Sequence, residues 1–142
     1  VPLVVLYAAL VFGLVYLGVI RAAREQCIAL ENETASLLRA GAVPAEIYEK
    51  ILSLVDPAFR EGFMNGCKFL GHSIGLTMDE TPVLAKGFSA PLESGMTLAV
   101  EPKIAIPGVG LIGCENTYEI TADGPAQSLT GACDTLFEVL NQ

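Results

Sequence analysis

The chain has 142 residues, 52% of them hydrophobic and 17% charged, with a formal net charge of −8. That length suits one domain, residues 1–142, with a real core, and eight basic residues against sixteen acidic ones leave no nucleic-acid footprint. Four cysteines (Cys27, Cys67, Cys114, Cys133) without CxxC or zinc-ribbon spacing read as small hydrophobes in a reduced, cytoplasmic setting.

Residues 1–20 carry no charge, and Arg21 and Arg24 follow directly. By length alone this is a membrane-helix candidate with positive charge at one end. Pro2, Gly13 and Gly18 interrupt it, however, and Val4, Val5, Val11, Phe12, Val15, Tyr16 and Val19 suit strands better. A basic start and a clear cleavage site, as in a signal peptide, are both missing. Periodicity does not separate a buried strand pair from a membrane span.

From residue 22 to 40 the pattern turns helical. Ala23, Cys27, Leu30, Thr34 and Leu37 recur at three- and four-residue steps, with Arg24, Glu31 and Arg39 on other faces and Gly41 as the stop. Pro44 opens a second helix with Glu46 near its positive end, and Ile47, Ile51, Leu54 and Val55 form its buried stripe. Residues 59–66 are turn-rich. Strands are expected at 67–70, 96–100, 103–106 and 111–120, with 82–91 irregular and a short closing helix over 134–140. The predicted fold class is α+β: a bent, mostly antiparallel sheet (67–121) with two helices (22–56) packed on one face.

Three motifs in the sheet region carry chemistry: Gly71-His72-Ser73-Ile74-Gly75-Leu76, Val100-Glu101-Pro102 and Gly113-Cys114-Glu115-Asn116-Thr117. Each places a metal-competent side chain in an apolar or glycine-flanked strand. A carboxylate buried in such a run is costly unless a cation pairs with it. Glu101 shares a strand face with Thr97 and Ala99, and Glu115 with Gly113 and Thr117, which leaves room in front of each. The bland alternatives are a hydrogen-bonded core histidine and two solvated glutamates. One imidazole and two carboxylates suit a single divalent Mn, Fe, Co or Zn ion.

The run GHSIGLTMDETP followed by LESGMTLAVEPKIAIPGVGLIGCENTYEITADGPAQSLT resembles the pita-bread metallopeptidases, a family that includes methionine aminopeptidase, Xaa-Pro dipeptidase and creatinase. The likeness is strongest to the Xaa-Pro peptidase branch. It implies a partial pita-bread fold in which His72, Glu101 and Glu115 are metal ligands. Asp79 stands where many members carry a substrate-contacting histidine, and so counts with His72 as a catalytic candidate. The resemblance also implies that residues 1–21 form the two-strand hairpin that carries two metal-binding aspartates. Pro2 and Gly13 fit that frame, and the aspartates then fall on Leu6 and Leu17.

Four functional readings follow from this. The first is a two-metal site dismantled by leucine at positions 6 and 17, inactive or holding one metal weakly. The second is a working aminopeptidase or Xaa-Pro dipeptidase with a partial site. The third is an altered, even engineered, pocket or binding scaffold in which His72 serves a Cys114, Cys67 or Ser73 nucleophile. The fourth is a membrane-anchored protein, which the hairpin reading displaces. The expected partners are a peptide or small-molecule ligand and a second copy of the chain, covering the missing half of the fold as a homodimer; neither a membrane nor a nucleic acid is expected.

Overall fold

The computed structural model describes residues 3–131, so the closing helix expected at 134–140, together with Cys133, lies outside the described residues. The chain begins with helix α1 (Leu3–Leu37), followed by α2 (Pro44–Leu54). Strands β1 (Phe69–Ser73), β2 (Glu80–Ala85), β3 (Thr97–Val100), β6 (Asn116–Glu119) and β7 (Gln127–Ser128) form one antiparallel sheet in the order β2-β1-β3-β6-β7. Strands β4 (Lys103–Ile106) and β5 (Gly110–Gly113) form a separate hairpin. The expected α+β architecture of two helices and a mostly antiparallel sheet is present.

The hairpin expected at 1–21 is not. Residues 3–37 are one uninterrupted helix, and no strand precedes it among the described residues. Strand propensity in β-branched residues depends on neighbouring strands to pack against. A helix already nucleated by the Ala- and Leu-containing stretch at 22–37 extends at little further cost. Gly13 and Gly18 cost about 1 kcal/mol each there, and neither marks a close approach, since nothing lies within 4 Å of where a Cβ would stand. Leu6 and Leu17 therefore sit on an exposed helix, 57% and 51% accessible, and do not line the site or replace ligands in it.

The second half of α1 packs as its periodicity predicts, with Ala23, Cys27, Leu30 and Thr34 buried. Glu31 departs from expectation: it is 4% exposed rather than on an outer face. Its Oε1 accepts hydrogen bonds from the Tyr118 hydroxyl at 2.8 Å and Asn116 Nδ2 at 2.5 Å, which ties α1 to β6. Past the helix, Gly41 turns the chain with φ +88°, and its N–H bonds Leu92 O at 2.8 Å. In α2, Ile47 and Ile51 are buried and Val55 follows them inward, whereas Leu54 is exposed.

The core runs between the helices and one face of the sheet, through Leu30, Leu38, Ile51, Leu70, Leu84, Leu98, Val100 and Ile120. Strand β2 falls within a stretch expected to be irregular because of Pro82. It lies at the sheet edge, where a proline removes no ladder hydrogen bond. The strand expected over 111–120 is broken at Cys114 and Glu115 into β5 and β6.

Because the buried Glu31 carboxylate draws on a tyrosine hydroxyl, Tyr118→Phe should destabilise the fold by about 1.5–3 kcal/mol. Urea unfolding followed by circular dichroism would register this as a lower midpoint at unchanged slope.

Candidate metal site

The register of three strands builds the site. His72 on β1 pairs with Ala99 on β3, and Ala99 pairs with Thr117 on β6. Glu101 lies just past the end of β3, where its carboxylate comes within 3.6 Å of His72 Nε2, and Glu115 lies in the break before β6, lining a cleft with Glu101. Gly71 permits this approach: a Cβ there would press into the Ala99 carbonyl. The Glu101 N–H bonds Leu70 O at 3.0 Å, which fixes the residue at the strand end.

His72 is held at both ring nitrogens. Nδ1 lies 3.0 Å from the Ser73 carbonyl, while Nε2 lies 3.1 Å from Asp79 Oδ1 and 3.6 Å from Glu101 Oε1. A carbonyl only accepts, so Nδ1 carries a hydrogen, and a neutral ring turns its Nε2 lone pair toward two carboxylates. That juxtaposition calls for a positive charge, either an imidazolium proton or a cation among the three groups.

Two clefts flank the His72–Glu101 pair, and Glu101 reaches from one of them to His72 in the other. One, of about 340 Å³, is lined by Phe69, His72, Asp79, Glu80, Thr81 and Val83. The other, of about 280 Å³, is lined by Glu101, Lys103, Leu111, Gly113, Cys114 and Glu115. Lys103 Nζ sits 2.5 Å from Glu101 Oε2 and 5.8 Å from the centre of the Phe69 ring. The ammonium thus already neutralises one side of Glu101. Sequence reasoning passed over Lys103, which stands two residues along from Glu101 at the start of β4.

His72 and Glu101 are brought together, and Glu115, exposed, shares the second cleft with Glu101. Among the described residues, no three His, Cys, Asp or Glu side chains are grouped closely enough to hold a metal ion by themselves. The donor chemistry fits the edge of a divalent metal site and stops short of a complete one. Asp79 is 71% exposed at the cleft mouth. Glu80 shapes the loop behind it by accepting from the Thr77 N–H at 2.8 Å and hydroxyl at 3.1 Å.

The three proposed nucleophiles are otherwise engaged or displaced. Ser73 Oγ donates to Thr97 O at 2.9 Å. Burial raises the Cys114 thiol pKa far above the ordinary thiol range, with hydrogen bonding to Glu31 and its negative charge adding to the effect. Burial likewise pushes Cys27 up to about 11, with Glu31 again adding. Cys67 is exposed on the turn before β1 rather than in the His72 cleft.

Sequence and fold both match known proteins. Residues 14–122 match the metallopeptidase family M24, and the chain belongs to that family. It is 37% identical over 71 residues to an Xaa-Pro dipeptidase of Lactobacillus delbrueckii subsp. lactis, covering 50% of this chain and 18% of that protein. An Xaa-Pro dipeptidase of Pyrococcus furiosus is 39% identical over 61 residues, 43% of this chain and 17% of its own length. Among solved structures, an Xaa-Pro dipeptidase from Bacillus anthracis superposes with a TM-score of 0.72 at 27% identity, over 82% of this chain and 32% of that one. The X-Pro aminopeptidase of Thermotoga maritima gives 0.76 at 21% identity, over 84% and 33%, which shows the shared fold. The chain therefore matches less than a fifth of each of these curated relatives and about a third of each of these solved chains.

Thiol chemistry gives a check on the site. With Cys133→Ser in place, a disulfide reagent at pH 8 should modify one thiol quickly, and Cys67→Ser should abolish that phase. Cys27 and Cys114 keep their protons in the folded chain above the pH, about 8.5, at which free thiols ionise. The unfolded chain releases those protons first, so stability should fall as pH rises from about 9 toward 11. Urea midpoints measured across that window should drop, and the drop should shrink in Cys27→Ala.

Proposed function

We propose that this chain supplies the His72, Glu101 and Glu115 side of a divalent metal centre in a hydrolase of the Xaa-Pro dipeptidase type. Alone, it binds one ion weakly and is catalytically silent. The observation that supports this is the imidazole–carboxylate array, with His72 Nε2 3.1 Å from Asp79 and 3.6 Å from Glu101 and Nδ1 steered by the Ser73 carbonyl. A backbone acceptor behind a ligating histidine is the usual way of aiming its other nitrogen at a metal.

The resemblance to pita-bread enzymes implies five metal ligands, two of them aspartates on a hairpin with no counterpart ahead of α1 among the described residues. A bound metal would polarise a peptide carbonyl and generate hydroxide at neutral pH. The chain's own residues do the rest. His72 and Glu101 provide adjacent donors, Glu115 extends the cleft, and Lys103 holds Glu101 in place. Asp79, open at the mouth, would meet the cationic end of a short peptide. The reading in which leucines 6 and 17 dismantled the centre is replaced by one in which this chain's donors make up only part of it.

Calorimetric titration with Mn²⁺ or Co²⁺ should show one weak ion per chain, lost in His72→Ala. Lys103→Met, which frees a Glu101 oxygen, should tighten binding about tenfold, or about 1.4 kcal/mol. Binding that ignores His72 would overturn the site. Metal-dependent turnover of an Xaa-Pro dipeptide by the chain alone would overturn its silence.

A further inference from the structure

We infer that residues 3–20 cross a lipid bilayer and that the tip of the β4–β5 hairpin beside them lies in the headgroup region. Independently of any metal chemistry, the first half of α1 is uncharged, and from Leu3 to Leu17 its large side chains stand exposed. Eighteen helical residues rise about 27 Å, close to the roughly 30 Å hydrocarbon core.

No face of the segment is polar. Leu3, Leu6, Leu10, Leu14 and Leu17 form one row along the helix, and Val5, Ala8, Phe12, Val15 and Val19 form the opposite one. A helix apolar all round is covered by lipid or by the core of a larger protein. An uncharged run of bilayer length, closed directly by Arg21 and Arg24, favours lipid.

The apolar surface continues into the domain. A groove of about 510 Å³ runs from Val19 past Phe59 to Ile104, Ile106, Pro107 and Leu111, with Glu61 as its charged member. The hairpin tip, residues 106–112, reads Ile-Pro-Gly-Val-Gly-Leu-Ile without a charge, and Leu111 is 54% exposed. It flanks the helix just where Arg21 and Arg24 end the apolar run. Arginines on that side put the domain on the cytoplasmic face.

The test uses the full chain in bacterial membranes. Wild type should stay in the pellet after alkaline carbonate extraction, and Leu10→Arg with Leu14→Arg should cut the pelleted share at least tenfold. Recovery of wild type in the supernatant, as a monomer or as a dimer by light scattering, overturns the span; a dimer would assign the helix to a second copy. Loss of about twenty N-terminal residues by intact mass also overturns it, making the segment a cleaved leader. Leu111→Trp, which leaves the helix unaltered, should show emission quenched by brominated phosphatidylcholine; unquenched emission removes the hairpin from the interface. With Cys133→Ser, an impermeant maleimide should reach Cys67 in inverted vesicles and not in spheroplasts. The reverse pattern overturns the orientation.

Discussion

A single buried carboxylate sets the position of the sheet's back wall. Glu31, enclosed between α1 and β6, takes hydrogen bonds from Tyr118 and Asn116. Removing one donor would leave part of a charge unsatisfied, so the helix cannot slide along the sheet without large cost. Asn116 directly follows Glu115, and its own Oδ1 accepts from the Thr130 hydroxyl at 2.8 Å. The contact that seats the helix therefore also positions the strand that presents one of the candidate ligands. The same negative charge helps hold Cys27 and Cys114 as thiols, so the structural anchor keeps nearby sulfur chemically quiet.

On the front of the sheet the charges are arranged in sequence. Asp79, His72, Glu101 and Lys103 alternate in sign when the ring is protonated, each within ion-pair reach of the next. Such a chain is self-satisfying, since each carboxylate then has a cationic neighbour among the protein's own side chains. It also explains how Glu101, only 15% exposed, is accommodated beside apolar Leu111. A divalent ion entering the array would compete with the Lys103 ammonium for Glu101. The weak single-ion affinity proposed above would follow from that competition as much as from the small number of donors.

The sheet half of this architecture was legible in the sequence because its signals are local and redundant. Glycines flank His72, the turns at Pro107-Gly108 and Glu93-Ser94-Gly95 punctuate the strands, and period-two alternation fixes the faces. Glu31 was missed because a charged residue reads as outward, even though it lies three residues before Thr34 and four after Cys27 on the buried stripe. Pro82 disguised β2, since only the order of strands reveals that it occupies an edge. The largest error lay at residues 1–20, where strand propensity and two interrupting glycines, joined to a family frame of proline and glycine spacing, pointed to a hairpin where the chain is helical. Two glycines do not break a helix of Leu, Val and Ala, and an uncharged run continuous with a strong helix belongs to that helix.

That continuity ties the membrane reading to the fold. No loop or proline separates the apolar half of α1 from the half clamped by Glu31. Glu31 lies about 16 Å along the axis from Ile20, at 1.5 Å per residue. A bilayer holding the first half would therefore fix the height and tilt of the second, and through Glu31 those of β6. A flexible linker would let the domain tumble above the lipid; a shared helix holds the cleft at a set distance and orientation. The uncharged β4–β5 tip, resting beside the same helix, gives that rod a second point of support, and two supports resist rocking where one would not.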